Sequence, residues 1–124
     1  MSPLGWLAFV AAGAVGAPVR YLVDGAISDR THRAFPWGTF VVNATGSLVL
    51  GFVTGLALYH GLPDAPKTVL GTGFCGAYTT FSTHTFETVR LAQDGARARA
   101  IGNALGTLAA GTGAAALGLG LAAL

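Results

Sequence analysis

Gly71-Thr72-Gly73-Phe74-Cys75-Gly76-Ala77-Tyr78-Thr79-Thr80-Phe81-Ser82-Thr83-His84-Thr85-Phe86-Glu87 falls largely within an uncharged window, yet it is not written as a lipid-facing helix. Three glycines at 71, 73 and 76 are followed by five hydroxyl side chains, Thr79, Thr80, Ser82, Thr83 and Thr85. Glycine weakens a helix, and hydroxyls give the backbone other hydrogen-bond partners, so a helix interrupted inside the bilayer is expected. The alternative is an unbroken helix whose small residues make contacts and whose hydroxyls bond back to the preceding turn. An interruption exposes carbonyls at the end of one piece, suited to a cation, and amides at the start of the next, suited to an anion. Beyond it, Phe81, His84 and Glu87 follow at intervals of three and share one helical face.

The surrounding chain places this stretch in a membrane. It has 124 residues, 52% hydrophobic and only 10% charged, with a mean hydropathy of +0.61, too few polar side chains to coat a water-soluble globule. The charges leave four uncharged windows, 1–19, 34–62, 68–86 and 100–124. Each is long enough to cross a hydrocarbon core, which takes roughly 20 residues. An all-α membrane protein of four transmembrane helices is expected, at about 3–27, 35–60, 67–90 and 98–123, as one multi-pass domain over 1–124. Short connections make successive helices antiparallel and put both termini on one side. No Lys or Arg precedes the first window, which reads as a retained helix rather than a cleaved signal. One cysteine, Cys75, excludes an internal disulfide, and a net charge of +2 gives no nucleic-acid surface. No phosphate loop, Ser-His-Asp set or metal-ligand spacing is present, so an enzyme is not expected.

The other windows carry isolated polar groups. Arg20 and Asp24 lie four apart on one face of the first helix, either paired at the interface or facing an aqueous, anion-attracting cavity. In the second, Gly51-x-x-x-Gly55 makes a groove for a neighbouring helix, and Asn43 either bonds such a neighbour or faces a polar conduit. In the fourth, Gly102-x-x-x-Gly106 suggests close packing, while Asn103 and Thr107 share a face.

Together these segments resemble the Fluc/CrcB fluoride channels. The resemblance rests on Gly16-Ala-Pro-Val-Arg20-Tyr21, Gly38-Thr-Phe-Val-Val-Asn43-Ala-Thr-Gly46-Ser47, Gly73-Phe-Cys-Gly76-Ala-Tyr-Thr79-Thr80-Phe81-Ser82-Thr83 and Asn103-x-x-x-Thr107, and it spans nearly the whole chain. It implies an antiparallel dimer of four-helix subunits in a prokaryotic plasma membrane, with two fluoride pathways and a central structural sodium ion. Gly76 and Thr79 would supply sodium-binding carbonyls, and hard oxygen donors suit that hard cation. Asn43, Phe81, Ser82 and Thr107 would line the pore, with Arg20 and Glu87 at its vestibules. Fluoride is small and tightly hydrated, so such a pore must replace water with converging donors, including the positive edge of an aromatic ring.

Two departures stand out. The family usually has a second phenylalanine three residues after the first, where this chain has His84; it is expected to line the path as a ring-edge or N–H donor and to make conduction pH-dependent. Arg30, Arg33, Arg90, Arg97 and Arg99 cluster on one face and Lys67 alone on the other, which predicts both termini outside. That bias opens a second possibility, pairing with a related chain of opposite bias instead of a homodimer. A proton-coupled multidrug exporter, the rival with similar helices, needs an embedded carboxylate in its first helix, where the only acids here lie at the far end.

Overall fold

A computed structural model describes residues 1–32 and 34–124; Arg33, one of the basic residues counted above, lies outside the described residues. All regular structure among them is helical, in four segments. The first is α1, Pro3–Arg30, which starts on Ser2, whose hydroxyl accepts from the Gly5 amide with proline next in the first turn. It passes the expected end at residue 27 by three residues. Ser28 Oγ donates to Asp24 Oδ1 and Thr31 Oγ1 to the Ile27 carbonyl at 2.7 Å, so polar side chains on the last turn sustain it. The second is α2, Trp37–His60, which closes at Gly61 with φ +67°, a left-handed stop that suits glycine.

The third segment is composite. α3 runs from Asp64 to Tyr78 as three abutting pieces: Asp64–Lys67, a π-wound stretch at Thr68–Cys75, and Gly76–Tyr78. Thr79 and Thr80 are extended (φ −81°, ψ 161° and φ −146°, ψ 121°), and α4, Phe81–Gln93, begins beyond them. Thr80 serves as its N-cap, the hydroxyl accepting from Thr83 N at 3.1 Å. A turn through Gly95, with φ +82°, leads into α5, Arg97–Ala122. Among the described residues three helices, α1, α2 and α5, are long and apolar enough to cross a membrane.

The packing inverts that of a water-soluble protein. Leu4, Leu7, Leu58, Ile101 and Leu105 stand exposed, while the buried positions are mostly small, with Gly16, Gly46, Gly51, Gly55 and Gly118 among them. This arrangement suits lipid outside and close backbone approach inside. The tightest seam joins α2 to α5: a methyl at Gly51 would meet the Ala115 carbonyl carbon at 2.8 Å, and one at Gly118 would meet Phe52 N at 2.7 Å. Gly55 faces Ala122 and Leu119 across the same seam. The stripe that α5 contributes is therefore Ala115, Gly118 and Ala122, not the expected Gly102 and Gly106. Gly102 has open space around it, and Gly106 comes no nearer than 4.0 Å to the Phe40 ring. α1 packs on the third segment instead, Gly16 lying beneath the Phe74 carbonyl and the Ala77 methyl.

Candidate functional site

The extended pair Thr79-Thr80 leaves backbone groups without helical partners, and side chains respond to that. The Thr79 amide and hydroxyl both donate to the Cys75 carbonyl, at 2.9 and 2.8 Å, closing the last turn of α3. The next amide, that of Thr80, would in a continuous helix reach back to Gly76. It donates instead to Asn43 Oδ1 at 2.8 Å, while Asn43 Nδ2 donates to the Thr80 carbonyl at 2.9 Å. One carboxamide from α2 thus satisfies both polar groups of a single residue, as a strand neighbour would. Asn43 thus bonds the extended backbone of the third segment, and it also lines a cavity.

That cavity is a groove of about 640 Å³ bounded by α2, α5 and the third segment, with Asn43, Thr79, Phe81, His84 and Thr107 in its walls. Ser47 and Ala104, not anticipated from the sequence, complete the α2 and α5 sides. Four of the five expected pore residues are brought together here. The fifth, Ser82, lies on the exposed side of α4, outside the groove. Phe81 is 81% exposed at the rim, its ring centroid 6.4 Å from that of His84. The Thr107 hydroxyl donates to Asn103 Oδ1 at 3.3 Å, so its proton is already engaged. The donors toward the groove then include the second N–H of Asn43, the hydroxyls of Ser47 and Thr72, the aromatic edge of Phe81 and the His84 ring.

Asn103 is the residue that sequence reasoning undervalued. It is 1% exposed and faces Thr88 and His84 of α4 as well as Thr107, four residues along its own helix. The spacing of Asn103 and Thr107 was visible in the sequence, but nothing there showed which helix they meet.

A second, smaller cavity of about 200 Å³ holds Arg20 and Asp24 of α1 with Thr39, Thr80 and Thr83. Among the described residues no ion pair joins Arg20 to Asp24, whose carboxylate accepts from Ser28; both side chains line this cavity. Glu87 lies next to this side, accepting from the hydroxyl of the buried Thr39. Thr80 borders both cavities, so the Asn43–Thr80 pair is the partition between groove and cleft. Gly76 is exposed with nothing within 4 Å of the position a side chain would take, and its carbonyl has lost its usual partner to Asn43.

These features define a class: a small helical membrane protein with a largely apolar groove carrying a few donors at an interrupted segment and a cationic side chain in an adjoining cleft. Residues 7–119 match the family described as CrcB-like protein, Camphor Resistance (CrcB), and the chain belongs to that family. It is 50% identical to Fluoride-specific ion channel FluC 1 of Frankia casuarinae over 96% of both chains. It is 49% identical to Fluoride-specific ion channel FluC 1 of Leifsonia xyli over all of this chain and 90% of the relative. With Fluoride-specific ion channel FluC 1 of Streptomyces avermitilis it shares 47% identity over 94% of each.

Proposed function

We propose that this chain is a fluoride channel subunit of a prokaryotic plasma membrane, passing the anion passively out of the cytoplasm. The observation that carries this reading is the groove at the interruption, where neutral donors from Asn43 and His84 and the edge of Phe81 converge with no carboxylate in its walls. Neutral donors replace the hydration shell of a small anion without binding it too tightly to leave. Arg20 supplies a cationic group to the adjoining cleft, which it shares with Asp24. An inside-negative potential then moves fluoride outward by about 2.3 kcal/mol per 100 mV, with no coupled step.

In this reading the third crossing is the broken helix made of α3 and α4, and the groove is half of a pathway. The outward-facing Phe81 ring and Ser82 hydroxyl favour closure by a second subunit in an antiparallel dimer. The family also implies a structural sodium ion, and the residues present fit it. The Gly76 carbonyl lacks its helical partner, since the Thr80 amide donates to Asn43, Gly76 is exposed, and the Thr79 carbonyl follows the last turn of α3. Carbonyls of Gly76 and Thr79 would hold the ion, which would supply positive charge beside the interruption.

Fluoride efflux from liposomes containing only this chain tests the reading. Passive, chloride-excluding flux is expected. Silence that a second homologous chain relieves would point to a heterodimer, which the cluster of Arg30, Arg90, Arg97 and Arg99 against Lys67 favours. Silence with and without such a partner would refute the channel. Reconstitution with N-methylglucamine in place of sodium should lower flux or dissociate the dimer, and unchanged behaviour would remove the sodium site.

A further inference from the structure

We propose that Asn103 is a positioning residue that holds His84 in a single tautomer, with Nδ1 bare and the proton on Nε2. The assignment follows from counting hydrogens around one buried amide. Thr88 Oγ1 lies 2.8 Å from the His84 backbone carbonyl, which only accepts, so the single hydroxyl proton of Thr88 is committed there. The same oxygen lies 2.8 Å from the Asn103 carboxamide, and having no proton left it must accept. Asn103 therefore turns its NH2 toward α4. Its other end agrees, since Asn103 Oδ1 receives the Thr107 hydroxyl at 3.3 Å.

That NH2 group also faces His84 Nδ1, at 3.4 Å. A nitrogen facing a donor has to present its lone pair, so a neutral ring carries its proton on Nε2. Nε2–H is then the only N–H the ring offers to the groove that His84 lines. Where the chain has an imidazole in place of a phenyl edge, a buried asparagine determines that the ring arrives as a donor. Phe81, whose ring centroid is 6.4 Å away, and Glu87, bonded to Thr39, are the other neighbours on its own helix, and neither supplies an acceptor to Nδ1.

The consequence for flux rests on the channel reading, whereas the tautomer does not. The test is nitrogen-15 NMR of histidine-labelled protein in lipid nanodiscs at neutral pH, with the His84 signals identified by their loss in His84→Phe. The expected result is an unprotonated Nδ1 and a protonated Nε2. In Asn103→Asp, which keeps the shape but presents only acceptors, Nδ1 should become protonated. Fluoride efflux should fall roughly fivefold or more in Asn103→Asp, the worth of one hydrogen bond, and should change less when His84→Phe is already present. Should Asn103→Asp fail to fold, Thr107→Val, which removes the donor to Oδ1, should loosen the amide and mix the tautomers. A protonated Nδ1 in the unaltered protein, or a tautomer indifferent to both substitutions, overturns the proposal. Liposomes that stay silent with and without a homologous second chain, while the tautomer is as stated, would defeat the channel reading and leave this assignment supported.

Discussion

Replacing Asn43 with leucine nearly preserves side-chain volume while deleting both bonds to Thr80, at 2.8 and 2.9 Å. The Thr80 N–H and C=O sit in extended backbone between two helical pieces, so no helical partner takes over. Orphaning a buried polar group costs about 1–3 kcal/mol; for two half-buried groups, about 2–4 kcal/mol is expected, or roughly 30-fold to several-hundred-fold in the population with the interruption properly formed. Asn43→Asp separates architecture from electrostatics. Its carboxylate still accepts from Thr80 N–H, but its second oxygen opposes the Thr80 carbonyl and brings negative charge into the groove. Asn43→Leu should therefore suffer the larger loss of thermal midpoint in detergent, read by size-exclusion after heating, and Asn43→Asp the lower fluoride efflux, read with a fluoride electrode. An Asn43→Leu protein with wild-type midpoint and wild-type efflux would refute the role given to this pair.

The α2–α5 seam predicts a contrast between two glycines of one helix. Gly118→Ala sets a methyl 2.7 Å from Phe52 N and closer still to the Leu48 carbonyl, atoms that cannot yield, and should destabilise by about 1–3 kcal/mol. Gly111→Ala, whose nearest neighbour is Ser47 Oγ at 3.6 Å, should be neutral in the same melting assay. Cys75 is 2% exposed and should stay silent to maleimides, so Asp94→Cys at the exposed α4–α5 turn reports orientation directly. Labelling from one side only is expected from the arginine bias, and equal labelling from both sides would establish dual insertion.

Much of this was legible because membranes restrict what a sequence can say. Charges at helix ends marked the segments, and glycines followed by hydroxyls marked where the third would be irregular. What could not be read is whatever depends on which faces meet. Asn43 was visibly out of place in an apolar run, but its partner is a backbone peptide 37 residues away, and backbone atoms leave no signature in residue types. Gly102 and Gly106 had the right spacing for close packing, while the seam formed on Gly118 one face and three turns further along, because spacing fixes a face and not its neighbour. The π-winding at Thr68–Cys75 likewise had only its glycines to announce it.

The seam between α2 and α5 also bears on how such a protein can diverge. Where backbone touches backbone at Gly51 and Gly118, even one added carbon has nowhere to go, so these positions are closed to gradual substitution. Ser47, Ala104 and Thr107 belong to the same two helices but look into the groove, where gaining or losing a hydroxyl displaces no main chain. A lineage adjusting its ion preference would thus be free to rewrite the lining while the frame stays frozen, and an arrangement such as Asn103 with His84 is the kind of local experiment that division permits.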